Sequence, residues 1–146
     1  MNPRTLQDIL PFVEKPSSYL GTEINAIKKD HDAVKLKMAL AFPDTYEIGM
    51  SHFGIQILYH ILNKHKDIAA ERVFAPALDM GRQLKATGLK LMALESQRPL
   101  NEFNIIGFSL LYELNYSNVL YMLDLAGINY LSAQRSEKDP LIIAGG

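Results

Sequence analysis

Residues 104–127 read NIIGFSLLYELNYSNVLYMLDLAG, and this stretch decides the fold. The run Asn104-Ile105-Ile106-Gly107-Phe108-Ser109-Leu110 is short and almost wholly apolar, as a strand buried on both faces requires. After it, Val119, Leu120, Leu123 and Leu125 recur at helical spacing up to Gly127, a residue suited to the left-handed turn that ends a helix. A buried strand followed by an amphipathic helix is half of a βαβ unit.

The same alternation extends outward in both directions. Leu36–Phe42 (LKMALAF) is a second short apolar run, ended by Pro43-Asp44. Beyond a loop from Asp44 to Ser51, the residues Phe53, Ile57, Leu58, Ile61 and Leu62 recur at spacings of three and four, which places them on one helical face, with Ser51 as N-cap. Glu71–Ala75 gives another strand, Asp79–Thr87 a short helix stopped by Gly88, and Leu89–Leu94 a further extended run. Leu141-Ile142-Ile143-Ala144 gives a last strand that leads into Gly145-Gly146. Strands alternating with helices of ten or so residues demand right-handed crossovers and a parallel sheet covered on both faces. The expected fold class is therefore α/β: a doubly wound, Rossmann-like, mostly parallel sheet. Residues 1–35, interrupted by Pro3, Pro11 and Pro16, read as an extension, and residues 36–146 as the domain. No helix follows the diglycine, so the domain is expected to be cut off at its C-terminus.

Composition narrows the chemistry. The 146 residues include 15 basic and 16 acidic side chains, a formal charge of -1, so no global field attracts nucleic acid or an anionic membrane. The absence of cysteine removes disulfides, thiolate nucleophiles and iron–sulfur ligation. No apolar run is long enough to span a bilayer, and the first twenty residues lack the pattern of a signal peptide, which points to the cytoplasm.

In an open parallel sheet, ligands bind beyond the carboxyl ends of the strands. Three segments reach that edge. The loop Asp44–Gly54 carries two glycines, a histidine, two carboxylates and a tyrosine. Ser109 ends the strong strand, where its hydroxyl can meet a ligand or cap the next helix, with Glu113 and Asn115 close behind. Gly145-Gly146 would let a flat group lie against the backbone. His31, His60 and His65 do not share a metal-site spacing and are expected at the surface. Tyr112, Tyr116 and Tyr121 fit packing against the sheet, and Asp44 and Glu47 fit solvated loop charges. A nucleotide or flavin site is disfavoured because no glycine-rich phosphate loop follows the first strand.

Taken together, a histidine after the first strand, a Ser-x-Leu at a later strand end (Ser109, Leu111) and a terminal Gly-Gly resemble the cobalamin-binding domain of methyltransferases and mutases. Five segments are closer to one subgroup: LPFVEKPSSYLGTEINA (10–26), ALAFPDTYEIGMSHFGIQILYHILN (39–63), ERVFAP (71–76), FNIIGFSLLYELNYSNVLYMLDLAGI (103–128) and PLIIAGG (140–146). They resemble the opening of radical SAM proteins that begin with a cobalamin-binding-like domain. The resemblance implies cobalamin at the sheet edge, contacted by His52, Gly54, Ser109, Leu111, Glu113, Gly145 and Gly146, with His52 as the cobalt ligand. It also implies S-adenosylmethionine and a 4Fe-4S cluster in a downstream radical SAM domain, the partner of this one. The family's loop motif is Asp-x-His-x-x-Gly, whereas Met50 stands two before His52 and Gly54 only two after. The carboxylate that would orient the imidazole is missing. A docking or interdomain module that keeps the fold without the ligand is the alternative.

Overall fold

The computed structural model describes residues 5–146; Pro3 of the expected extension lies outside them. Its centre is a four-stranded, wholly parallel sheet of β1 (Leu36–Phe42), β2 (Ile68–Phe74), β3 (Ile105–Ser109) and β4 (Leu141–Gly145), in the order β2-β1-β3-β4. The doubly wound α/β expectation is met. β1 pairs with β2 from Leu36↔Ile68 to Phe42↔Phe74 and with β3 from Met38↔Ile105 to Ala41↔Phe108; β3 pairs with β4 from Ile105↔Leu141 to Ser109↔Gly145. The run LKMALAF can sit centrally because both of its faces are apolar. Ala39 and Ala41 turn to one side, and Leu40 and Phe42 to the other, all of them buried.

Each face meets different helices. The alanine face, with Ile106 and Phe108, packs on α4 (Leu78–Thr87) through Met80 and Leu84, and on α5 (Tyr116–Ala126) through Met122 and Leu125. Gly81 lets the two helices approach, since a Cβ there would lie 1.8 Å from the hydroxyl of Tyr121. Both helices end on glycines in left-handed backbone, Gly88 (φ 75°) and Gly127 (φ 68°), as their sequence positions foretell. The opposite face, with Leu40, Phe42 and Phe74, packs on α3 (Phe53–Lys64) through Ile55 and Tyr59.

On α3 the structure departs from the apolar pattern of the sequence. The face of α3 that turns inward is Ile55, Tyr59 and Asn63, while Phe53, Ile57, Leu58 and Ile61 are exposed and Leu62 is only half-buried. The inward face is the more polar one because, beside the apolar Leu40, Phe42 and Phe74, it meets the β2 backbone at Ala70 and the guanidinium of Arg72. Asn63 donates from Nδ2 to the Ala70 carbonyl (2.8 Å) and accepts from the Ala70 amide (3.1 Å), so it holds the β2 backbone. Tyr59 places its ring 4.3 Å under the guanidinium of Arg72. His52, not Ser51, is the N-cap of α3; Ser51 ends a five-residue helix, α2 (Tyr46–Met50), inside the expected loop. Its hydroxyl donates to the Glu47 carbonyl.

β2 is an edge strand, and an unpaired edge invites association with other chains. The segment expected as a further extended run, Leu89–Leu94, forms no strand of the sheet. It turns back through Gln97 (φ 56°), makes a single bridge between Met92 and Pro99, and covers β2 by donating the Leu94 amide to the Arg72 carbonyl (2.8 Å). The contact is fixed by charge. Arg72, 1% exposed, donates from Nε to Glu95 Oε1 (2.7 Å) and from its amide to Glu95 Oε2 (2.8 Å), and its Nη1 reaches Gln56 Oε1 (3.1 Å). Desolvation pushes the Glu95 carboxyl upward, opposed by the facing guanidinium.

Residues 5–35 wrap this edge, led by a single helical turn, α1 (Leu6–Ile9), whose Leu6 and Ile9 join the alanine-side core. His31, expected at the surface, is 5% exposed, with Nε2 2.5 Å from Glu71 Oε1; the other carboxylate oxygen of Glu71 accepts from the amide (3.0 Å) and hydroxyl (2.7 Å) of Ser96. Lys29 donates to the carbonyls of Asn63, His65 and Ile68, satisfying the open end of α3. Gly21 crosses the covering segment so closely, at φ 62°, that a Cβ would sit 2.0 Å from the Leu94 carbonyl oxygen.

Removing one partner of a buried ion pair leaves an uncompensated charge. Glu95→Ala is therefore expected to cost about 3–5 kcal/mol in denaturant unfolding, while the double change Arg72→Met with Glu95→Leu recovers most of it. Equal losses in the single and double variants would contradict this reading.

Candidate functional site

The winding direction reverses at β1. The chain leaves β1 over the α3 face to reach β2, and leaves β3 over the opposite face, through α5, to reach β4. A crevice opens where two neighbouring strands send their chains to opposite faces, here between the carboxyl ends of β1 and β3. The tips of β1, β3 and β4 lie level along this rim, because the register sets Ala41 beside Phe108 and Ser109 beside Gly145. α5 is tied across it by Asn118, whose Nδ2 donates to the Pro43 carbonyl (2.9 Å).

The seven residues singled out by sequence fall along this rim in two groups. His52 and Gly54 stand at the start of α3. The imidazole lies 5.1 Å from the Phe42 ring and covers Gly54 so closely that a Cβ there would be 2.8 Å from His52 Cε1. Its Nδ1 is buried without a hydrogen-bond partner. The ring is thus folded onto its own helix. Ser109, Leu111, Glu113, Gly145 and Gly146 form the second group, around the β3 and β4 tips. Ser109 is half-buried and does not cap α5, whose N-cap is the buried Asn115. Leu111, Glu113 and both glycines are exposed. Gly145 has open space where a Cβ would stand, whereas at Gly146 a Cβ would lie 2.0 Å from the Leu110 carbonyl oxygen. Of the three tyrosines expected to pack on the sheet from the helix after β3, Tyr121 packs on the core, whereas Tyr112 and Tyr116 face outward. His60 and His65 are exposed, as expected.

The side of the sheet that carries α3 is only half covered. α3 spans β1 and β2, but Leu141 and Ile143 of β4 lie on the same side and are 60% and 44% exposed. Gly107 confirms the sidedness: a Cβ there would touch Met38 Cε at 3.1 Å and Ile143 Cγ1 at 3.6 Å. Phe53, 81% exposed, with Ile57 and Ile61, adds the outer face of α3 to the uncovered apolar area. Clustered exposed apolar side chains of this kind are typical of surfaces that associate.

A cavity of about 190 Å3 lies beyond the exit of β2 and contains none of these seven residues. Its walls combine the end of β2, the start of α2, α4, and residues 6–19 of the extension. It is not legible in the sequence because its wall is assembled from four separate segments, one of them the expected extension, which supplies Leu6, Glu14, Lys15, Ser18 and Tyr19. Lys15 pairs with Glu47 at 2.6 Å, and Asp79 Oδ2 accepts the Glu14 amide at 2.7 Å. The Glu14 amide is the main cause holding the Asp79 carboxyl below its usual range. A depressed carboxylate contributes stability above its unfolded value near 3.8, lost as pH falls through the lower folded value. Asp79→Asn is expected to flatten the acid limb of the stability profile below that pH. An unchanged limb would show that this contact does not hold the extension.

Among the described residues there is no group of three or more histidine or acidic side chains placed to hold a metal ion. Also among them, no helix is long and apolar enough to cross a membrane. Residues 54–146, nearly two-thirds of the chain, match the family described as radical SAM proteins, N-terminal. No curated protein and no solved structure matches the chain.

Proposed function

This chain belongs to the radical SAM protein family, in its N-terminal region, and on that premise we propose that it is a docking module of a radical SAM protein. It seats against the rest of that protein through the uncovered side of β3 and β4. The observation that carries the reading is the apolar row Leu141 and Ile143, solvent-exposed on the side of the sheet where β1 and β2 are covered by α3. S-adenosylmethionine and the 4Fe-4S cluster that the family implies belong to another part of the protein, since a chain without cysteine offers no thiolate to a cluster. On this reading the chain performs no reaction itself; it positions and shields the catalytic part.

A second reading, in which cobalamin lies on the rim, has one observation in its favour: Gly145 leaves free space beside Ser109 on a level line of strand tips. His52 does not fit a cobalt ligand as it stands. Its ring is packed on Phe42 and Gly54, and no carboxylate orients it.

Both readings are tested on the full-length radical SAM protein. Leu141→Asp with Ile143→Asp is expected to enlarge the molecule in small-angle scattering and to open a protease-sensitive junction, because two charges would have to be buried in the interface. Unchanged scattering and proteolysis would overturn the docking proposal. Protein mixed with hydroxocobalamin and freed of excess ligand is expected to retain none. Retention with a visible spectrum altered by His52→Ala would instead establish the corrinoid reading.

A further inference from the structure

The cavity at the exit of β2 carries an inference independent of the docking proposal. Well-packed interiors hold few voids larger than a water molecule, and an apolar hole of about 150 Å3 suffices to bind benzene. At about 190 Å3, this one has room for a molecule slightly larger than benzene. Its inner wall is apolar, built from Val73, Met80, Leu84 and Leu91. Three aromatic rings also line it, those of Tyr19, Tyr46 and Phe74, the last two edge to face with centroids 5.6 Å apart.

The polar lining selects a sign of charge. Among the described residues that line it, Glu14, Glu47 and Asp79 are the carboxylates and Lys15 is the one cation. The Lys15 ammonium is bonded to Glu47, whose carboxyl that bond holds below the usual range. Tyr46 donates its hydroxyl to Glu23 Oε1 (2.6 Å), and the Tyr19 oxygen accepts the Ala77 amide (3.2 Å). Burial holds Tyr46 near 12 and raises Tyr19, so both stay neutral at physiological pH. What they offer a guest is ring surface. Aromatic faces beside carboxylates attract organic cations and repel anions.

We propose that this cavity is a binding site for a compact organic ammonium, its apolar body among Val73, Met80 and Leu84 and its charge at Glu47 between the tyrosine rings. Lys15 acts as a tethered competitor. Its pair with Glu47 is exposed, with side chains 68% and 49% accessible, and such pairs contribute at most about 1 kcal/mol, so an incoming ammonium can displace it.

Benzylammonium, benzyl alcohol and phenylacetate have the same ring and differ in charge, which makes them suitable probes for the isotopically labelled 146-residue chain. Benzylammonium is expected to give saturable amide shifts clustered at residues 14–19, 45–47 and 73–80. Benzyl alcohol should bind about tenfold more weakly, the worth of one charge-assisted hydrogen bond, and phenylacetate more weakly still. Lys15→Met should tighten benzylammonium by up to about fivefold, and Glu47→Gln should weaken it; both positions are exposed, so folding is unaffected. Equal binding of alcohol and amine would reveal an unselective hole and overturn the proposal. So would preference for phenylacetate, or no saturable shift in either the unaltered chain or Lys15→Met.

Discussion

The reversal of winding at β1 is the constraint on which the rest of the molecule depends. A right-handed crossover from β1 to β2 must run over one face, and the crossovers that build β3 and β4 on the other side of β1 must run over the opposite face. The sheet order β2-β1-β3-β4 follows, and with it a crevice between the tips of β1 and β3. The same geometry concentrates α4 and α5 on the alanine face and leaves α3, with the short α2 beside it, on the other. Both lie over β1 and β2, which leaves β4 uncovered on that side. The exposed row Leu141 and Ile143 is therefore a consequence of topology, not an accident of surface composition.

The opposite edge of the sheet is closed by other means. β2 carries two charged residues, Glu71 and Arg72, where a central strand would carry aliphatic ones, and both are buried against polar partners from elsewhere in the chain. Burying ions is expensive, and the arrangement is sustained because each is met by a counter-charge or by several hydrogen bonds. In return, β2 has specific partners in residues 91–96 and in Glu23 and His31 of the wrapped segment, which masks an edge otherwise open to pairing. The closed edge and the open side thus lie at opposite ends of the sheet. The cavity falls at the closed end, where the extension bridges the mouth between α2 and α4.

Much of the fold is legible in the sequence. β1 runs over Leu36–Phe42 as read, β3 and β4 shift by a residue or less, and Gly88 and Gly127 terminate the helices before them. These elements are set by short-range rules. What misled were features whose reason lies far along the chain. On α3 the strongest apolar stripe, Phe53, Ile57 and Ile61, faces outward, while Tyr59 turns inward under Arg72 and Asn63 turns inward onto the Ala70 backbone. His31 looks like a surface residue until Glu71, forty positions away, is brought to it. Leu89–Leu94 is apolar because it is buried, yet Gln97 folds it into a cover and not a strand. Of the rim residues, their shared edge was legible from strand ends alone; the inward fold of His52 onto Phe42 was not.

On the docking proposal, the β3–β4 side of the sheet is built to be covered by the rest of a radical SAM protein. Hydrogen–deuterium exchange at the Ile105–Ser109 and Leu141–Gly145 amides, compared between the 146-residue chain and the full-length protein, addresses it most directly. Exchange in β4 is expected to slow strongly in the full-length protein, while the β1 and β2 amides change little. Equal exchange of β4 in both would contradict the claim.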